Sequence, residues 1–550
     1  MRRREFLTKT GLGVAGLTTL DFVRHFHHNG LPETGKAFAM AEDKAAEAEE
    51  PRFLIYWYVE GGWMGYSMFN PLVTANNLVK RLPNPTDERY RVKNFGDPQH
   101  KISQDGDITY GYLAEAGKPL FEDMAILSSM HTGTFHSGER LKAHMGSYRL
   151  RLPSDREDDE RDVIQAFCEA VGRPYLLPNI GWFRWLADGE LNEAQYTGRK
   201  GFYYGLGPAW AHTIYAGPPA KLRRLLSGMY DVSHNVVNRE VSRFLDDVNR
   251  QLTRDDSLEV VKSYNAARQI YQRLNAGGAG LDPIMLSKLF RDPDLRARFK
   301  VQPGDELITY RGVNGNKARS KFIPNSNVQA MMAYELIRAG LSCGFWIESR
   351  AIRGYDSHRS RARLWNKKGE PIGQTDQTTG LKRDLWDPLV TLVDLLKNTQ
   401  YKNTGKSLYD LTTIVLTSEF GRTINGDVDG ILKNPKLSDE EKKKMVTGQD
   451  ICQHWKVTSA AFLGGNVRGH TQFGRVGTKS MTAIPLLPDG SLDPHYDAVT
   501  GELLPGKEDT PGARIPNHGD VYATALSLAG LNPKGRGRND RPPLDFICKA

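Results

Sequence analysis

Three segments of this chain end apolar runs in residues able to do chemistry. Between Thr412 and Thr423 a β-branched stretch gives way to Ser418, Glu419, Phe420, Gly421 and Arg422. A buried parallel strand that ends this way delivers a hydroxyl, a carboxylate and a guanidinium to the carboxyl edge of a sheet, where open α/β folds place their ligands. Upstream, Cys343 to Ser349 reads as another buried strand, followed by Tyr355, Asp356, Ser357 and His358. Downstream, His454 and Trp455 precede the apolar run Ser459 to Gly465. The strand ends therefore offer Asp, His, Glu and His in order.

The elements that must position these groups are legible from their patterns. Phe53 to Val59 is the first strand and ends at Glu60, Gly61 and Gly62; Ala125 to Met130 is a second, ending at His131. Val328, Met331, Met332, Glu335, Leu336 and Ala339 have helical spacing, stop at Gly340 and lead into the Cys343 strand. Leu385 to Leu396 forms the next helix, again followed by a strand. This alternation predicts an α/β fold with a largely parallel sheet and helices on both faces. The spacing of Leu222, Leu225, Leu226 and Met229, then of Val241, Phe244, Leu245, Val248 and Leu252, predicts a helical insertion at about 215–300. Residues 478–516, rich in Pro, Gly and Asp, read as a long surface excursion near the site mouth.

The ordered set resembles the alkaline-phosphatase-like superfamily, and in particular its branch called domain of unknown function 1501. The resemblance rests on Ser418-Glu419-Phe420-Gly421-Arg422-Thr423, Tyr355-Asp356-Ser357-His358, Gln453-His454-Trp455, Glu60-Gly61-Gly62-Trp63 and Asn517-His518-Gly519-Asp520, and runs from about residue 53 to the C-terminus. It implies an alkaline-phosphatase-like fold and one or two divalent cations (Zn, Ca or Mg) that neutralise a phosphate or sulfate ester and deprotonate the attacking oxygen. Asp356, His358, Glu419 and His454 match the family's metal-site positions, with buried hydrogen-bonded roles as the alternative. Glu60 is the candidate first carboxylate and Ser67 the nearest hydroxyl for a nucleophile. Arg422 either holds an oxyanion bidentately or pairs with Glu419 or Asp427. His136 falls in a His-Gly segment like one in the family, with His131 and Glu139 close by. Met64, Gln453 and Phe420 depart from the family pattern at positions where relatives carry Asp, Asp and, in the classical enzymes, His; these departures imply a weakened metal site. Two functions follow: a metal-dependent hydrolase of a sulfate or phosphate ester, or an envelope binding or assembly protein that keeps the fold without catalysis.

Bulk properties agree with a globular protein of the cell envelope. Hydrophobic residues make up 39% of the chain and charged residues 25%. The net charge of +9 is spread along the chain without a dense basic tract, which favours an anionic small-molecule or polymer ester and argues against nucleic acid. None of the four cysteines forms a Cys-x-x-Cys pair, so a structural zinc site is not indicated. Arg2, Arg3 and Arg4 precede Phe6-Leu7 and a mildly apolar segment, and Ala37-Phe38-Ala39 offers a cleavage site. Residues 1–41 resemble a twin-arginine signal peptide, which makes the twin-arginine translocase a partner and the periplasm or the outside of the cell the destination. An acidic linker covers 42–51, the alkaline-phosphatase-like domain 52–550, and no apolar run is long enough to span a bilayer. Replacing the arginine pair with lysines should leave full-length precursor in the cytoplasm, as read by fractionation and blotting; undiminished accumulation outside the cytoplasm would contradict the assignment.

Overall fold

The computed structural model describes residues 50–71, 102–134, 136–146, 161–182, 211, 213–223, 226, 288–306, 308–309, 322–349, 380–402, 404–422, 434–442, 454–534, 536 and 541–549. The proposed signal peptide, nearly all of the linker and most of the helical insertion lie outside these residues, as do Asp356, His358 and Gln453.

Among the described residues, eight strands form the central sheet: β1 (Phe53–Val59), β2 (Met124–His131), β3 (Asn179–Gly181), β4 (Ile214–Tyr215), β5 (Gly344–Ser349), β6 (Thr412–Ser418), β7 (Val457–Gly464) and β8 (Thr471–Phe473), in the spatial order β8-β2-β7-β6-β1-β5-β3-β4. Every pairing is parallel except those of β7, which runs against both β6 and β2. The sheet is thus largely parallel, with one reversed strand near its middle. Strand β1 is central and buried throughout, as expected for a strand covered on both faces.

Side-chain alternation along β1 assigns the two helical layers. Tyr56 donates its hydroxyl to the carbonyl of Ala143 at 2.5 Å, so this face meets α1 (His136–Met145). Trp57, pointing the other way, donates to Ser349 Oγ at 2.5 Å, and Ser349 in turn donates to the carbonyl of Asp384. That second face carries α3 (Ser326–Arg338) and α4 (Asp387–Lys397), which pack on each other; the first carries α1, α2 (Val163–Val171) and α5 (His518–Leu528). Helix α3 ends as its sequence requires, with Gly340 at φ 65° just beyond it. The expected second helix begins slightly later than its apolar spacing indicates, because Lys382–Trp386 forms a π-turn ahead of α4. Residues 478–516 hold isolated β-bridges and turns in place of regular elements, tied together by Asp493, which accepts from Thr510 and His495. Among the described residues no helix is long and apolar enough to cross a membrane.

Cys168 and Cys343 are both buried, with their sulfurs 4.0 Å apart, as core thiols. Helix α2 starts at Asp162, whose carboxylate accepts from the N–H of Gln165 at 2.8 Å and from Trp346 Nε1 at 3.2 Å. Burial raises this carboxyl from 3.8 to about 6 despite those bonds. An acid with a raised folded pKa weakens the folded state as pH rises from its unfolded toward its folded value, here from about 4 to about 6. Asp162→Asn keeps the cap acceptor and removes the buried charge. It should therefore be neutral or stabilising at pH 7, by up to about 3 kcal/mol, and should lose that advantage at pH 3.5; chemical denaturation at the two pH values checks it.

Candidate active site at the carboxyl edge of the sheet

Where β1 and β6 end side by side, Val59 lies in register with Ser418, so Glu60 and Glu419 emerge together. Both carboxylates are buried, and each meets the guanidinium of Arg140 on α1: Nη2 lies 2.8 Å from Glu60 Oε1 and Nε lies 3.4 Å from Glu419 Oε1. Glu419 also accepts from the Tyr58 hydroxyl and, at 3.1 Å, from the N–H of Gly61. Burial acting alone would lower the pKa of Arg140, but Glu419 and then Glu60 push it above its ordinary value, so the side chain stays a cation. Burial, followed by Glu419, raises Tyr58 well above 10 and keeps it a neutral donor. Glu348 on β5, in register with Tyr58, adds a third carboxylate acting on Arg140.

The adjoining layer is aromatic and imidazole. His144 stacks on Trp346 with ring centroids 4.4 Å apart and meets Tyr58 edge-on at 5.0 Å. Burial first, and the neighbouring His518 next, drop its pKa to about 3, so it is neutral. A capping box at Asn517 and Asp520 fixes the start of α5, while Arg514 and Arg541 each lie 3.2 Å from Asp520. This places His518 Nε2 3.1 Å from the carbonyl of Glu419, to which it donates. Burial lowers the pKa of His518, opposed by Glu139. In the neutral ring Nδ1 is then an acceptor, and neither it nor Glu139 Oε2 has a hydrogen-bond partner among the described residues. Glu139 Oε1 is paired with Lys142 Nζ at 2.6 Å.

A two-residue ladder, Gly421–Arg422 against His454–Trp455, carries the remaining groups. Arg422 is buried and donates through Nε and Nη2 to the carbonyl of Gly61, with Gly62 O 3.4 Å from Nε. It pins the Gly61-Gly62 turn, where φ is 103° and 78°. Its guanidinium lies 5.2 Å from the Phe420 ring, and the other face of the motif stacks Phe420 on His454 at 4.1 Å. His454 is half-buried, with Nδ1 2.5 Å from the carbonyl of Thr134. A carbonyl only accepts, so Nδ1 carries the proton and Nε2 is the basic nitrogen of the neutral ring.

The sequence candidates divide accordingly. Glu60, Glu419, Arg422 and His454 are brought to one edge. Ser67 is buried in the Gly65–Ser67 turn, packed so closely on Gly111 that a Cβ there would lie 2.5 Å or less from the Ser67 backbone. His136 begins α1, and its side chain lies outside the description; His131 closes β2 at the same edge and is exposed. Met64 is wholly buried in the main core. Sequence reasoning missed Arg140, Tyr58 and Glu348. The only linear hint was the position of Arg140 directly after Glu139 in the histidine-bearing segment.

A divalent cation would need Glu60 and Glu419 as oxygen donors at roughly 2.0–2.6 Å. Both already face Arg140, and no group of three or more His, Cys, Asp or Glu able to hold a metal occurs among the described residues. His454 has the orientation of a metal-binding imidazole, with its second nitrogen bonded to a carbonyl; the two described carboxylates do not fit the cation.

No protein-family model matches the chain, and a search of curated proteins finds no match. Among solved structures, the chain is similar to the crystal structure of the lipoteichoic acid synthase LtaP from Listeria monocytogenes, with a TM-score of 0.32 and 9% identity over 90% of this chain and 76% of that one.

The motif glycine has a steric reason: a Cβ on Gly421 would lie 2.0 Å from the carbonyl oxygen of Val457. Gly421→Ala must therefore push the ladder off the start of β7. We expect a loss of about 1–3 kcal/mol in denaturant unfolding, together with altered NMR shifts of the His454 ring; an unchanged ring environment would show that the ladder does not depend on this contact.

Proposed function

We propose that this chain is an exported hydrolase of the alkaline-phosphatase-like type acting on a sulfate or phosphate ester. The observation that carries the reading is His454 Nε2, a basic imidazole nitrogen at the carboxyl edge of a largely parallel sheet, with its other nitrogen anchored on Thr134. Such a nitrogen takes a proton from an attacking hydroxyl or water and returns it to the leaving oxygen. Lys456 acts electrostatically on His131 at this rim, opposed by Glu139, which is itself paired with Lys142; the Lys456 charge suits an anionic ester. Arg422 holds the Gly61-Gly62 turn and so positions the strand end beside the reacting group. His136, Asp356 and His358 complete the proposed site.

One observation favours the second reading, an envelope binding or assembly protein without catalysis. Glu60 and Glu419 are ion-paired with a protein cation, which leaves them unsuited to activate a metal-bound nucleophile. Turnover decides between the two. Purified mature protein assayed against aryl sulfates and aryl phosphates should hydrolyse one class, and His454→Ala should lower kcat/KM by about 100-fold or more. Saturable binding of these esters without turnover, unaffected by His454→Ala, would establish the binding reading instead.

A further inference from the structure

We propose that Arg140 is the resident cation of this site, standing between Glu60 and Glu419 where a divalent metal would have to sit, so that those two carboxylates are ion-pair partners and not ligands. Three observations converge. The guanidinium reaches both carboxylates at once, at 2.8 and 3.4 Å, through different nitrogens. Its side chain is only 13% exposed and the carboxylates 4% and 0%, so the charges compensate each other largely away from water. Glu419 also has its second oxygen engaged by Tyr58 and Gly61, which fixes the orientation that presents its first oxygen to Arg140.

Charge and size make the two cations mutually exclusive. A metal bound by both carboxylates would lie within about 2.6 Å of an oxygen of each, inside the volume Arg140 fills. Arg140 cannot leave by losing its proton, because its neighbours hold its pKa above the ordinary arginine value. A protein cation of this kind is covalently tethered and always charged, and a chelator cannot remove it. Its charge is spent on the two carboxylates, and the site lacks the strong Lewis acid that lowers the pKa of a bound water.

The test uses the purified mature chain, with calcium and zinc ions alone as probes, followed by calorimetry and by thermal unfolding with and without EDTA. Wild type should bind neither ion through Glu60 or Glu419: Glu60→Gln and Glu419→Gln should leave any metal affinity within about threefold, or there should be no binding to lose. Arg140→Met should have a lowered Tm, and calcium or zinc should raise that Tm because the freed carboxylates now accept a metal. Arg140→Lys keeps a charge there and should remain insensitive to metal, which holds the comparison together if Arg140→Met does not fold. A wild-type metal affinity that falls tenfold or more in either glutamine variant, or a wild-type Tm lowered by EDTA only when both glutamates are intact, would overturn the proposal. Ester turnover plays no part in these readouts, so a failure of the hydrolase reading would leave them unchanged.

Discussion

Two strands that end in register force two carboxylates together beneath a helix, and the fold has to neutralise them without water. Bringing two like charges together is costly in a low-dielectric interior, and so is leaving a buried carboxylate without a partner. Arg140 meets that requirement from α1, and much of the local structure follows from keeping it in place. Tyr58 and the Gly61 N–H orient Glu419; Arg422 holds the Gly61-Gly62 turn from below; His518 fastens the Glu419 carbonyl to the start of α5. The layer of helices α1, α2 and α5 is thus joined to the sheet by polar contacts at one edge as well as by apolar packing across its face. Trp346 joins the two kinds of contact, stacking on His144 while donating to the cap of α2.

The strands were legible because burial on both faces writes them as continuous apolar runs. Phe53–Val59 and Thr412–Ser418 appear as their sequences indicate, and the run after Met124 extends to His131. The direction of β7 was not legible, since alternation and hydrophobicity are the same for parallel and antiparallel pairing. Helix α3 was marked by spacing and by Gly340, whereas the π-turn before α4 left no periodic signature. The convergence of Glu60 and Glu419 followed from where strands end. The identity of their partner did not, because Arg140 is remote in sequence from both and meets them only through the docking of α1. Arg422 illustrates the same limit: its motif context marks it as special, yet its hydrogen bonds go to backbone carbonyls of the Gly61-Gly62 turn, a use that only three-dimensional proximity reveals.

The glycines of the two motifs have different physical grounds. Gly62 sits at a positive φ with Phe420 where its Cβ would be, and so couples the first strand's turn to the ring that stacks on His454. Gly421 has no unusual dihedral to satisfy; its constraint is the Val457 carbonyl, 2.0 Å from where a Cβ would project. One glycine relieves torsional strain and the other makes room for a neighbouring backbone. Together they hold Phe420 between the turn and the imidazole.

Because β7 runs against its neighbours, the chain that leaves the sheet after β6 comes back to the same rim before entering β7. Arg422 and His454, on either side of that excursion, are cross-ladder partners. The two ends of that excursion therefore stand side by side at the rim. The entropy of closing a chain between two neighbouring ends changes only slowly with its length, by about 0.6 kcal/mol per doubling. Lengthening or shortening the segment between Arg422 and His454 thus need not disturb strand register, and this part of the chain is where the fold can change what borders its sheet edge while leaving the sheet as it is.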